Sequence, residues 1–386
     1  MQLLAVFIIG ACGHALFNAS RMLVSLYALQ LGAGPAAVGI LVALNGVLPV
    51  FLGIPFGRLV DRIGVRAPLI GCSAMFLIAV LAPFAYPSYA SFALCGIAVG
   101  LAFMGGLIGT NKAVAALSSA ARRAGQLGWL SAAASLGGAL SPVAAGFAVD
   151  HFGHRVSFAL LALLPLIALG ALFTIGRKLS GASAAAPRRA RGSSIDLWRD
   201  PHLRKLLLLS SVVPMAIDTY LFFVPIIGSQ LGWSASITGV VIGSSIGAVV
   251  FARVLLPMAT RLMGPWALLG ASYLVIAAGY LILPLIERPG SMIAVAFLIG
   301  AGTGVAPPVL ASLLYAASPA GRQGEVIGLR TSVQFALASS APVVVGALGA
   351  LLGLAPVLCA IGGGLALASR LAFRERRGNP GGDDAG

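Results

Sequence analysis

Gly57-Arg58-Leu59-Val60-Asp61-Arg62-Ile63-Gly64-Val65-Arg66 is the densest group of charges in the first half of a very apolar chain. Long hydrophobic runs flank it on both sides. In such surroundings a run of charges reads as a short loop held at a water-facing surface. The loop then orders the rest, because it sets the side of a membrane from which the flanking runs start.

Composition supports a membrane. Of 386 residues, 59% are hydrophobic and only 9% are charged, against about 25% charged in soluble domains. Mean hydropathy is +1.01. Apolar runs of about 20 residues recur along the whole length, which predicts many membrane-spanning helices. No period-2 alternation speaks for strands. The 50 Gly and 22 Pro fit this reading, since both are tolerated in membrane helices and small residues let helices approach closely. The net charge of +15 does not indicate nucleic acid, because the basic residues are spread over many loops without an aromatic-basic face. Cys12, Cys72, Cys95 and Cys359 all sit in apolar runs without metal or redox spacing, so they read as small buried hydrophobes. No metal and no cofactor are expected. The N-terminus lacks a basic start and a small-residue cleavage site, so Met1 onward reads as the first span.

Twelve spans are predicted, at 3–29, 36–57, 67–86, 90–113, 124–149, 155–176, 205–230, 235–259, 264–286, 291–316, 323–349 and 352–373. With the N-terminus in the cytoplasm, all but three of the 25 Lys and Arg fall in inner loops, inner helix ends and the tail. The exceptions are Arg155 and Arg288 outside and Arg21 within the first span. Lys and Arg mark the cytoplasmic side, so both termini are expected there. The predicted division is an N-terminal bundle at 1–176, a cytoplasmic linker at 177–204, a C-terminal bundle at 205–374 and a disordered tail at 375–386. The linker carries Arg188, Arg189 and Arg191 and reads as orientation and lipid contact, with a short surface helix near 195–204.

The two halves repeat. At a shift of 200, Gln30-Leu31-Gly32 meets Gln230-Leu231-Gly232, and Gly39 meets Gly239. Gly64 meets Gly264, Gly100 meets Gly300, Arg122 meets Arg322, Gly128 meets Gly328, Pro142 meets Pro342 and Gly146 meets Gly346. Such matches at loops and helix breakers indicate a duplication. Two parallel six-helix repeats are a transporter layout with the site at mid-membrane between the halves.

At these residues the chain resembles the major facilitator superfamily, over essentially all of its length. Gly57 to Arg66 is similar to the family's signature loop between the second and third spans. The resemblance implies a fold of two pseudo-symmetric six-helix bundles. It implies that Gly57, Asp61, Arg62, Gly64 and Arg66 form a gate, with Asp61 capping the eleventh span. The equivalent loop in the second half is degraded, with Pro257, Ala259, Arg261 and Gly264 at the matching places. In the fifth span, Gly128, Gly137, Ser141, Pro142 and Gly146 resemble the signature of proton-driven drug antiporters, with Ser141 and Ala145 in place of two glycines. Both substitutes are small, so a smooth face for packing against the eighth span survives; generic small-residue packing explains the pattern too. A helix-4 arginine frequent in proton-coupled members is replaced by Gly96.

Ionisable residues at mid-membrane are costly and are functional candidates. Asp218 is the only carboxylate well inside a span. The shift of 200 sets it opposite Asn18, and Arg21 follows Asn18 by one turn. Asn18, Arg21 and Asp218 are therefore expected to converge. Asp218 would take up and release a proton while Arg21 pairs with it or with an anionic substrate group; a static Arg21–Asp218 ion pair is the alternative. Tyr27, Asn45, Tyr220 and Gln334 are cavity candidates, with Thr303 beside them. Lys112 is expected to snorkel to the inner surface, Glu325 and Arg330 to serve the gate, and His14 to be a hydrogen-bonded core residue.

The chain is thus expected to be a secondary transporter rather than an enzyme. It lacks the clustered His, Glu or Asp of intramembrane metalloenzymes and any nucleotide-binding loop. Proton-coupled export of a small amphipathic molecule leads, and proton-coupled uptake of a small organic anion or metabolite is the alternative. The expected partners are a small-molecule substrate, protons and the lipid bilayer, with a monomer in a bacterial inner membrane.

Overall fold

Hydrocarbon offers no hydrogen bonds to a polypeptide backbone, so each apolar run must satisfy its own N–H and C=O groups and folds as a helix. A computed structural model describes residues 2–175, 194–319 and 322–378. It is helical almost throughout, with no strand among the described residues. The helices are α1 (Gln2–Gln30), α2 (Pro35–Ile63), α3 (Arg66–Ala85), α4 (Tyr89–Leu117), α5 (Ala120–Leu161), α6 (Leu163–Ile175), α7 (Ser194–Arg199) and α8 (Pro201–Gln230). They continue as α9 (Ala235–Leu262), α10 (Pro265–Ile282), α11 (Pro289–Ala317), α12 (Gln323–Leu352) and α13 (Leu354–Gly378). Arg188, Arg189 and Arg191 of the expected linker, and the tail beyond Gly378, lie outside the described residues.

Ten apolar helical stretches of the described residues are long enough to cross a bilayer. One of them, Gly125–Phe173, has 49 residues. At about 1.5 Å per residue it would exceed twice the ~30 Å hydrocarbon thickness. Gly153, at φ 77°, divides it into two spans. The apolar segment Ser340–Leu352 of α12 adds a further candidate. The architecture is the expected all-α membrane fold of two six-helix repeats.

The repeat is visible in the backbone. Gly32 and Gly232 both have positive φ, 85° and 67°. At both ends the same bonds close the helix: Leu31 N–H to Tyr27 and Leu231 N–H to Ile227, then Ala33 N–H to Ala28 and Trp233 N–H to Gly228. Gly153 and Gly353 form a second such pair at the same shift, φ 77° and 84°. Helix packing repeats as well. A Cβ at Gly100 would overlap the Asn45 carbonyl, and a Cβ at Gly300 would overlap the Ser245 carbonyl. So α2 meets α4, and α9 meets α11, at equivalent backbone-to-backbone crossings.

One expectation about the opening stretch needs correction. Gly57 to Ile63 is not loop but the last two turns of α2. A helix need not end where the hydrocarbon ends, because its ladder satisfies the backbone equally well in water. Arg58 and Arg62 stand on exposed faces there. The break is confined to Gly64, at φ 80° and ψ 176°, followed by Val65. Its counterpart Gly264 has φ −63° and directly precedes α10, so the left-handed turn exists only where the charged motif is complete.

The chain forms two compact units. The first holds the described residues within 1–187 and 222–243. In it α1 packs on α4, α5 and α6, and α4 packs on α2 and α3, around Val6, Ile9, Leu69, Val114, Leu130 and Leu172. The second holds the described residues within 188–221 and 244–386. In it α10 lies against α11 and α13, and α12 contacts α7, α11 and α13.

Candidate functional site

Residues His14, Asn18, Arg21 and Ser25 share one face of α1 by their 4-3-4 spacing. The Asn18 side chain donates to the His14 carbonyl at 3.0 Å, and Ser25 donates to the Arg21 carbonyl at 2.9 Å. The Arg21 guanidinium lies over the Phe17 ring, 5.3 Å from its centroid. Phe17 in turn stacks on Phe103 of α4 at 4.0 Å, and His14 meets the edge of the same ring at 4.9 Å. Both Asn18 and Arg21 are half-buried. The aromatic platform supports the guanidinium through a cation–π contact.

The other candidates of the first unit make the following contacts. Tyr27 is buried and stacks on His154 at 5.1 Å, with Phe92 and Phe158 beside it. Asn45 donates to the Val42 carbonyl of its own helix at 3.0 Å, while its backbone oxygen faces Gly100.

Asp218 lies on α8 in the second unit and is half-buried. Thr219 and Tyr220 beside it are fully buried. Tyr220 pairs with the Ser245 hydroxyl of α9. Tyr280 of α10 is an electrostatic neighbour of Asp218 and donates its hydroxyl hydrogen to the Ala216 carbonyl. One turn back, Tyr273 donates to the Leu209 carbonyl at 2.7 Å. From α12, Gln334 donates to the Ser210 carbonyl at 2.9 Å. The helix that carries Asp218 is thus gripped through its backbone from two neighbours. Thr303 is buried and bonds only locally, to the Gly300 carbonyl at 2.9 Å. Arg330 reaches the Pro307 carbonyl at 3.4 Å, and the side chain of Glu325 lies outside the described residues.

At the α2–α3 end of the first unit, Asp61 forms an ion pair with Lys112 of α4 at 2.6 Å. The same ammonium donates to the Gly57 carbonyl at 2.9 Å. Lys112 therefore clips the charged end of α2 to α4 rather than merely reaching for water. Arg62 is exposed on the last turn of α2, and the Arg66 Nε is buried without a partner. A Cβ at Gly57 would meet no atom within 4 Å.

The α5 motif faces two ways. A Cβ at Gly137 would come 2.5 Å from the Ala11 carbonyl of α1. A Cβ at Gly146 would overlap the Ala235 carbonyl at the start of α9, and a Cβ at Gly239 would overlap the Pro142 carbonyl. Pro142 has no N–H for the Gly138 carbonyl, and the Ser141 hydroxyl lies 3.5 Å from that oxygen. Gly128 has no atom within 4 Å of the place of a Cβ. Just past Gly146, Asp150 accepts the backbone N–H groups of Ala235 and Ser236, each at 2.9 Å. Ser234 accepts the N–H of Ile237 at 3.2 Å. Three of the four open donors at the start of α9 are thereby met. Beyond the Gly153 turn, Arg155 donates to the Phe84 carbonyl at 2.6 Å and the Ala85 carbonyl at 3.2 Å, which caps the C-terminus of α3 with a cation.

Asn18 and Arg21 come together on α1, and Asp218 and Tyr220 come together on α8. The two pairs belong to different units. The sequence reading passed over Asp150, Tyr273 and Tyr280 and misjudged what Lys112 does. For Asp150 a signal existed: a carboxylate one turn after the small-residue motif, at a span end. For Tyr273 and Tyr280 the only signal is their heptad spacing.

Residues 6–342 match the family model of the Major Facilitator Superfamily. No curated protein sequence matches the chain. Among solved structures, the peptide transporter POT is similar with a TM-score of 0.80 at 14% identity, over 97% of this chain and 94% of that one. The nucleoside transporter NupG gives 0.79 at 13% identity, over 97% and 99%. A D-xylose–proton symporter gives 0.76 at 16% identity, over 97% and 98%. At such identities the likeness is one of fold.

Proposed function

The chain belongs to the major facilitator superfamily, and on that premise we propose that it exports a small amphipathic molecule in exchange for protons by alternating access. It is a multi-pass integral membrane transporter, and the members of its fold carry small molecules across the bilayer. The proposal assigns the proton to Asp218. The observation that supports this is its place on α8: a half-buried carboxylate inside a span, among the fully buried Thr219, Tyr220 and Tyr280. Alternating access would expose Asp218 to each side in turn, and the proposal assigns Arg21 and Asn18 of α1 to the substrate.

Export is favoured by the α5 motif, whose Pro142 and Gly146 meet α9 backbone to backbone. The same reading takes 1–176 and 205–374 as the two moving bundles, 177–204 as a cytoplasmic linker, and 375–386 as a cytoplasmic tail. It also takes a bacterial inner membrane as the location and a monomer as the working unit. A second reading is proton-coupled uptake of a small organic anion, for which the Arg21 guanidinium on its aromatic platform would be the ligand.

The test is transport into proteoliposomes of a panel of fluorescent amphipathic compounds, with and without a pH gradient, for the parent protein and Asp218→Asn. The proposal expects Asp218→Asn to abolish the response to the gradient. Full proton-driven transport by that variant would end it. Growth of a deletion strain on toxic compounds, against growth on single organic acids, separates export from uptake.

A further inference from the structure

Proline at position 214 removes a backbone donor from the middle of α8, so the Ser210 carbonyl four residues earlier has no N–H from its own ladder. Ser210 is 1% exposed, and an unpaired carbonyl in such a place is costly. The donor that meets it is the Gln334 side-chain amide of α12, at 2.9 Å. The preceding carbonyl, of Leu209, takes the Tyr273 hydroxyl at 2.7 Å, and the Ala216 carbonyl beyond the proline takes that of Tyr280. Asp218 follows Pro214 by one helical turn. All these groups belong to one compact unit.

From this arrangement we infer that Gln334 is a positioning residue for Asp218. It replaces the hydrogen bond that Pro214 deletes, and so sets the bend of α8 that aims the next turn. The two tyrosines hold α8 to α10 on either side of the proline, which leaves the proline itself as the place where α8 can flex. A donor supplied by a separate helix ties that flexing to α12. If α12 withdraws, the Ser210 carbonyl is bare until water reaches it, so the bend and the wetting of the helix change together. This rests on Asp218 as the proton carrier.

The test uses the full-length protein in lipid nanodiscs and reads amide hydrogen exchange over 211–222 by mass spectrometry. Gln334→Leu is expected to speed exchange there by about tenfold, the loss of one buried hydrogen bond. Pro214→Ala returns an N–H to the Ser210 carbonyl. In the Pro214→Ala background, Gln334→Leu is therefore expected to change exchange less than about twofold, a non-additivity that only a shared acceptor produces. An equal effect of Gln334→Leu in both backgrounds would overturn the inference, since Gln334 would then be ordinary packing. No effect in either would overturn it too. Gln334→Leu with altered exchange but unaltered proton-driven transport would sever the bend from Asp218 and also refute it. Asp218→Asn that retains proton coupling, with the Gln334 pattern as expected, would instead remove the carrier assignment and leave the hinge standing.

Discussion

Asp150 at the end of the α5 span accepts the backbone N–H of Ser236 at 2.9 Å. Its other oxygen takes the N–H of Ala235 at the same distance. A negative charge at the positive end of α9 is thereby joined to two directed hydrogen bonds. The first unit also has an ion pair at the opposite membrane face, where Asp61 holds Lys112. The faces are opposite because α5 crosses the bilayer between the end of α4 and Asp150.

Asp150→Ala removes the acceptor of two N–H groups at the start of α9. The side chain is exposed, so water takes over part of its role. The expected loss is about 1 kcal/mol of stability, read as a lower midpoint in a thermal melt of the purified protein. Asp150→Asn should fall between, since it keeps one acceptor and loses the charge. An unchanged melt for Asp150→Ala would show that the cap carries no weight.

Asp61 and Lys112 are each about one third exposed, at 34% and 29% of the side chain. A double-mutant cycle with Asp61→Asn and Lys112→Met should therefore give a coupling of at most about 1 kcal/mol. The coupling should shrink in high salt. Lys112→Met alone should cost more than Asp61→Asn, because the ammonium also holds the Gly57 carbonyl.

Gly100→Ala and Gly300→Ala place a methyl onto the Asn45 and Ser245 carbonyls. Backbone cannot step aside as a side chain can, so each should cost about 3 kcal/mol or more, at the upper end for overpacking. Gly57→Ala and Gly128→Ala meet no atom within 4 Å and should express and melt like the parent. Equal behaviour of the two pairs in a size-exclusion and melting assay would contradict the close crossings.

Gly153 and Gly353 have positive φ with open space around the place of a Cβ. Alanine at either should cost about 1–3 kcal/mol from backbone strain alone. The two costs should be similar and additive, since the turns lie at equivalent places of separate repeats.

Much of the fold was legible because the bilayer leaves a chain few choices. Apolar runs of spanning length, and small or turn-forming residues recurring at a shift of 200, carry nearly all the information needed for two six-helix repeats. The reading failed at the end of the second span. Charge density marks where hydrocarbon stops, whereas the helix stops where the backbone turns, at Gly64. The candidate site was legible as a set of residue types. Asp218, Arg21 and Asn18 stand out by being polar inside apolar runs, and Gln334 stands out for the same reason.

The sequence by itself determined that this is a membrane protein of about twelve helices in two repeats, because composition, length and repetition act over many residues and tolerate local error. Only the tertiary structure decided who holds whom. Lys112 on Asp61, Asp150 on Ser236, and Gln334 on the carbonyl that Pro214 leaves open are bonds between helices far apart in the chain. Each depends on a rotation or a rise of one helix against another, and a shift of a few ångströms would pass unnoticed by hydropathy yet break a hydrogen bond.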